Sequence, residues 1–374
     1  VIALACGALA LPSSASAAPA HHHGARKPTA VVSLGDSYIS GEAGRWKGNA
    51  TTSEPGRLGT DRAWRPSATD PAGVIDRSLV YGDTVVNGCH RSDVAPIESA
   101  YLLAQDSINL ACSGAKTVNV LRASAGGVAY KGEAPQDDQL AAVAASHQVK
   151  LVVLSIGGND LGFGNIVTAC VAAFIYGTPP CSTSQAAAVE AGLPKMAAAV
   201  SATVADIQAT MADAGYSRSD YRLILQSYPS PQPLASRNRY QGADLAQRAS
   251  VGGCPFLDAD LDWAHTTLSP GISKALGGVA TSRGVQYLDL TDAFHGHELC
   301  SSTTQQSTGK PRSETSEWIR FIDLTGQGDS AEALHPNYFG QKALGQCLTL
   351  ATLTRRNVAC HGTANLPDWA VYLT

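Results

Sequence analysis

Three short stretches of this chain hold residue types that together make an acyl-transfer centre. The first, Gly35-Asp36-Ser37-Tyr38-Ile39-Ser40-Gly41-Glu42, follows the apolar run Ala30-Val31-Val32-Ser33-Leu34. A serine just past a buried strand and at the start of a helix exposes its hydroxyl. Its backbone N–H is free to face a developing oxyanion. A serine there can equally be a plain helix N-cap. The second stretch, Ser155-Ile156-Gly157-Gly158-Asn159-Asp160, closes another apolar run. Its glycines let backbone approach a ligand, and the Asn159 amide is either an oxyanion donor or a local turn former. The third, Glu332-Ala333-Leu334-His335-Pro336-Asn337, sets a histidine before a helix, with Pro336 read as its first residue. A lone histidine of this kind is commonly structural or simply exposed. A serine, however, needs a base to lose its proton, and histidine suits that task near neutrality. Found together in one α/β chain, the three stretches point to Ser37 as nucleophile and His335 as base.

The elements that must position them are legible as continuous apolar runs. Besides residues 30–34, such runs fall at 108–111, 151–156, 223–225 and 285–290. Runs without alternation fit parallel strands buried on both faces. Ala-rich segments with helical spacing lie between them, at 139–147 and at 185–214, where Pro194 is expected to break or kink the helix. Another follows at 337–353. Alternating strands and helices imply a three-layer α/β/α sandwich on a parallel sheet, with ligands bound beyond the carboxyl ends of the strands. Residues 45–100 and 300–330 lack periodicity and read as loops over that face.

Composition narrows the function classes. With 374 residues, 44% hydrophobic and 16% charged, the chain is long and apolar enough for a sizeable core. A formal charge of −4 gives no electrostatic reason to expect a nucleic-acid partner. Residues 1–20 read as the tail of a secretory signal peptide with its start missing, ending in the A-x-A sites Ala15-Ser16-Ala17 and Ala18-Pro19-Ala20. Residues 21–28, with His21, His22 and His23, read as a flexible tail, and 29–374 as a single catalytic domain. Nine cysteines become eight once Cys6 leaves with the signal. An even number in an exported chain reads as disulfides. None forms a C-x-x-C pair, so zinc and redox readings are poor. Neighbour pairing is the natural expectation, Cys170 with Cys181 above all, although sequence alone leaves connectivity open.

At this point the chain resembles the GDSL/SGNH hydrolases, in particular their secreted actinobacterial esterases and lipases. Gly35-Asp36-Ser37-Tyr38-Ile39-Ser40-Gly41-Glu42 matches the first family block, Asn109-Leu110-Ala111-Cys112-Ser113-Gly114-Ala115 the second, Gly157-Gly158-Asn159-Asp160 the third and His335 the last. The resemblance implies a flavodoxin-like fold on a five-stranded parallel sheet. It also implies an oxyanion hole from the Ser37 and Gly114 N–H groups and the Asn159 amide. The last block is usually Asp-x-x-His, whereas here position 332 is Glu. The third catalytic member is therefore either Glu332 or a main-chain carbonyl orienting a Ser–His dyad. The resemblance further implies the bridges Cys89–Cys112, Cys170–Cys181 and Cys254–Cys300, with Cys347–Cys360 as an added clasp. The expected protein is a secreted monomer acting on carboxylic or lipid esters, with no metal, no cofactor, no nucleic-acid partner and no stable membrane insertion. A carbohydrate or plant-polymer esterase is the enzymatic alternative. A catalytically inactive binding module is the non-enzymatic one.

Overall fold

A computed structural model describes residues 1–2, 27–51, 56, 58–324 and 326–374. The expected signal peptide, tail and Cys6 therefore lie almost wholly outside the described residues. The five apolar runs form strands β1 (Thr29–Gly35), β2 (Asp106–Asn109), β3 (Gln148–Ser155), β4 (Arg222–Gln226) and β5 (Gln286–Asp289). The sheet is wider than expected: β6 (Val358–His361) and β7 (Tyr372–Leu373) extend it to seven strands in the order β2-β1-β3-β4-β5-β6-β7. All neighbours are parallel except β7, which runs antiparallel to β6. The two added strands are short and mixed in polarity, so they lack the apolar run that marks the others.

Strand β1 pairs on both edges, Val32 facing Ile108 of β2 and Val152 of β3. It is therefore central, and its residues from Ala30 onward are buried. The chain order reverses beside β1, which makes its carboxyl end a topological switch point, where open α/β sheets bind ligands.

Helices α1 (Ser37–Ser40), α2 (Gln136–Ser146), α3 (Phe163–Tyr176), α4 (Ser182–Asp213), α5 (Ser269–Arg283) and α6 (Tyr338–Thr352) supply the main helical packing. Helix α4 packs between α2 and α5 on one face, and α6 packs on the Pro96–Ser99 turn on the other. The expected break at Pro194 does not occur: α4 runs through it for 32 residues. Pro194 removes the hydrogen bond to the Glu190 carbonyl, but both residues are exposed and water can take that place. Helix α6 also starts two residues after Pro336, the residue expected to begin it. Asn337, not Pro336, organises its start, its Oδ1 accepting the Phe339 and Gly340 N–H groups at 3.0 and 3.2 Å.

The cysteines form Cys89–Cys112, Cys170–Cys181, Cys254–Cys300 and Cys347–Cys360. The last staples α6 to β6. The two long loops pack on each other through buried side chains. Trp46 Nε1 donates to Glu332 at 2.8 Å, and the Asn49 amide donates to the Ile319 carbonyl at 2.8 Å. No described helix is long and apolar enough to cross a membrane.

Candidate active site

Gly35 ends β1 at φ +140°, where a Cβ would lie 1.9 Å from the Ser155 carbonyl oxygen, so only glycine lets β1 and β3 close up here. Asp36 then caps α1, its Oδ1 accepting the Tyr38 N–H at 3.1 Å. Because Asp36 is the cap, the Ser37 hydroxyl is spared that role. It stands on the first turn, where Ser37 Oγ and His335 Nε2 lie 2.7 Å apart. The two residues are 298 positions apart in the chain.

His335 is set by its own loop. Its Nδ1 is 3.0 Å from the Ala333 carbonyl, an acceptor, so the proton sits on Nδ1 and Nε2 is left to accept from Ser37. That short return is made possible by Leu334, a non-glycine residue at φ +60°. The Leu334 carbonyl accepts from Tyr38 OH at 2.8 Å, and its N–H donates to the Arg320 carbonyl at 2.8 Å. The Tyr38 ring also leans on the imidazole, centroid to centroid 5.0 Å. The Ser37 turn and the His335 loop thus brace one another. Burial pulls the His335 imidazole below its ordinary value, and the Glu42 charge and the Ala333 carbonyl only partly oppose that. The imidazole is therefore neutral at pH values below those at which an ordinary histidine loses its proton.

Glu332 is held by donors other than the imidazole. Its carboxylate accepts from Trp46 Nε1 at 2.8 Å, Tyr81 OH at 3.0 Å and the Asp329 N–H at 3.0 Å. It is buried among those donors, beside the Arg320 guanidinium that stacks 3.5 Å over the Trp46 ring. Among the described residues it is the Ala333 carbonyl that meets His335 Nδ1, while Glu332 bonds across the two long loops.

The second and third blocks converge on the same hydroxyl. Gly114 sits at φ +85° in a turn anchored by the Cys89–Cys112 bridge and by the Ser113 N–H on the Cys89 carbonyl at 3.0 Å. Among the described residues the Ser37 and Gly114 N–H groups donate to no acceptor. Asn159 Nδ2 donates to the Ala115 carbonyl at 2.9 Å, which fixes the amide against the Gly114 turn and leaves its second hydrogen free. Ser37, Gly114, Asn159 and His335 all line one cavity of about 220 Å³, with Tyr228 and Ile272. A groove of about 760 Å³ adjoins it at Phe163 and His335. One wall of the groove is a helical stripe of α3, Val167, Val171 and Ile175, and the other includes Phe321, Ile322 and Leu334.

Tyr228, just past β4, carried no signal in the sequence. Its OH donates to Asp36 Oδ2 at 2.5 Å and accepts the Gly158 N–H at 3.1 Å, so it ties the nucleophile turn to the Asn159 turn. Burial pushes the Asp36 carboxyl up to about 7, the Tyr228 and Tyr38 hydrogen bonds opposing it and the Asp160 charge adding to it. Among the described residues, Cys170, Cys181 and Asp260 are the one group of three or more whose potential metal-ligand atoms all lie within 4.8 Å of one another. Its sulfurs are bonded together, and Asp260 accepts the Cys181 and Ser182 N–H groups at 3.1 and 2.9 Å.

Residues 78–343 match the GDSL-like Lipase/Acylhydrolase family. The chain belongs to this family. The match includes Gly114, Asn159 and His335, and begins after Ser37. Over 234 residues the chain is 25% identical to Lipase 1 of Streptomyces coelicolor, covering 62% of this chain and 64% of that protein. The fold is similar to that of an extracellular lipase from Streptomyces rimosus, at 22% identity and a TM-score of 0.52. It is equally close to a phospholipase A1 from Streptomyces albidoflavus, at 19% identity and a TM-score of 0.52. Both alignments cover 87% of this chain and all of the other. The family's α/β/α architecture, with its mostly parallel sheet, is therefore the architecture of this protein.

Proposed function

We propose that this family member is a secreted serine hydrolase of carboxylic esters, lipid esters foremost. The observation that carries this reading is the 2.7 Å contact between Ser37 Oγ and His335 Nε2 at the mouth of an apolar groove. In the reaction, His335 Nε2 takes the Ser37 proton as Oγ attacks the ester carbonyl. The Ser37 and Gly114 N–H groups and the free Asn159 amide hydrogen receive the oxyanion. His335 then passes its proton to the leaving alcohol, and afterwards activates a water that releases the acyl group. Four bridged cysteine pairs and the leader-like residues 1–20 support export to an oxidising compartment. The extracellular location of the Streptomyces rimosus lipase agrees with it.

The test is a hydrolysis panel at neutral pH: p-nitrophenyl esters of increasing acyl length, a phospholipid and acetylated xylan. Each methylene buried in the groove is worth about 0.8 kcal/mol, so kcat/KM should rise up to about fourfold per methylene until the groove is filled. A flat response to chain length together with preferred deacetylation of xylan would replace lipid esters by carbohydrate esters.

Asn159→Ala should lower kcat by about 10²–10³ with a smaller change in KM, the loss of one oxyanion donor. An unchanged kcat would reduce Asn159 to a tie between two loops.

A further inference from the structure

Just beyond α1, on the turn that carries Ser37, the Glu42 carboxylate is wholly enclosed. Its backbone is fixed at both ends: the Glu42 N–H donates to the Ser37 carbonyl at 3.1 Å, and its own carbonyl accepts from Gln341 Nε2 at 3.2 Å. Both carboxylate oxygens lie 2.9 Å from His90 Nδ1. His90 is itself constrained. It follows the bridged Cys89, adopts φ +50°, and stacks on the Tyr81 ring at 4.7 Å between centroids. Through Cys89–Cys112 and the adjoining Ser113 this pair borders the Gly114 turn, and through Ser37 it borders the nucleophile.

A buried carboxylate is a poor stability device, because desolvation consumes most of what its partner returns. Its placement fits a catalytic need better. A Ser–His–Asp site puts a carboxylate against the imidazolium that forms as the serine proton moves. Here His335 Nδ1 faces only the neutral Ala333 carbonyl. We propose that Glu42 is a positioning residue for this reaction, its buried carboxylate supplying through space the negative charge that the Ser37–His335 pair lacks, and that His90, when protonated, cancels it. The inference rests on the ester-hydrolase reading above. Glu42 keeps its charge throughout; the only proton that moves is the one from Ser37 Oγ to His335 Nε2.

The surrounding charges are consistent with this. Burial would raise the Glu42 carboxyl, but the His90 hydrogen bond and charge, then the His335 charge and the Ser113 hydroxyl, hold it below the usual carboxylate range. On His335 the Glu42 charge acts upward and the His90 charge downward. The other groups facing the pair are Tyr81, with Glu332 and Arg45 behind it, and Lys131 from the following loop.

The experiment is an NMR titration of the His335 ring proton, paired with the pH profile of kcat on a p-nitrophenyl ester. The proteins are the wild type, Glu42→Gln and His90→Gln. Neutral His335 is the active base, so the acid limb follows its proton affinity. Removing the Glu42 charge should move the titration and the limb to lower pH by about half a unit or more, and lower plateau kcat. Removing the His90 charge should move both to higher pH. A merely structural pair would lower Tm and leave the His335 titration in place. If Glu42→Gln does not fold, the upward shift in His90→Gln decides alone. Unmoved titrations, or shifts of the same sign in both variants, overturn the inference. If the wild type hydrolyses no ester yet the titrations still shift in opposite directions, the functional reading falls and the electrostatic coupling stands. If it hydrolyses esters and neither titration shifts, the inference falls alone.

Discussion

Ser37→Ala is expected to lower kcat by about 10⁴–10⁶ while KM stays within a few fold, because the acyl-enzyme can no longer form. The upper figure corresponds to about 8 kcal/mol of barrier. Folding should hardly notice. The Ser37 hydroxyl has one partner, His335 Nε2 at 2.7 Å, and the cap of α1 is the Asp36 carboxylate, which the substitution leaves alone. One lost hydrogen bond beside a cavity costs about 0.5–1.5 kcal/mol, a small change in Tm for a chain of this size. Covalent labelling by a fluorophosphonate should map to Ser37 in the wild type and vanish in the variant. Labelling that persists at another serine would displace Ser37 from the nucleophile position.

How much of this was readable in the sequence depended on how local each signal was. Strands β1, β3 and β4 announced themselves because a parallel strand buried on both faces is apolar at nearly every position, whereas β2 and β5, only partly buried, showed shorter apolar stretches. Residues 358–361 and 372–373, at the edge of the sheet, are under no such demand. Pro194 illustrates the converse: proline disrupts a helix only where the freed carbonyl is denied water, and exposure cannot be read from the residue itself. The site followed the same rule. Ser37, Asn159 and His335 stand where strand ends and a helix start make their type meaningful. Tyr228 and His90 lie 192 and 48 positions from Asp36 and Glu42, the residues they bond, so nothing near them in the chain marks them. Glu332 is a case of the same kind. Its spacing from His335 is that of a triad acid, and the donors that hold its carboxylate, Trp46 and Tyr81, are 286 and 251 residues away.

The comparison of His335→Ala with Glu332→Gln separates a dyad from a triad. In His335→Ala no group is left to accept the Ser37 proton, and kcat should fall by about 10⁴–10⁶. A triad acid would bring Glu332→Gln close to the same loss, since changing Asp to Asn in a serine protease triad costs about 10⁴ by fixing the wrong tautomer. Here the tautomer is held by the Ala333 carbonyl at 3.0 Å from Nδ1, which no side-chain substitution removes. Glu332→Gln should therefore leave kcat within about tenfold of the wild type. Its cost should fall on stability instead. The carboxylate accepts three hydrogen bonds; an amide in its place keeps one oxygen for Trp46 and the Asp329 N–H and turns its NH₂ on Tyr81, whose hydroxyl must then accept instead of donate. The charge also matters: burial presses the Arg320 guanidinium down to about 9, and Glu332 is the first of the charges that oppose this. Losing a hydrogen bond to a charged group costs about 1.5–3 kcal/mol, so Tm should drop by several degrees. Equal losses of kcat in the two variants, with Tm unchanged in Glu332→Gln, would restore Glu332 as the third catalytic member. A cold-sensitive or heat-labile Glu332→Gln enzyme that turns over normally would assign it to the seam between the two long loops, whose closure holds Leu334 at positive φ and so aims His335 at Ser37.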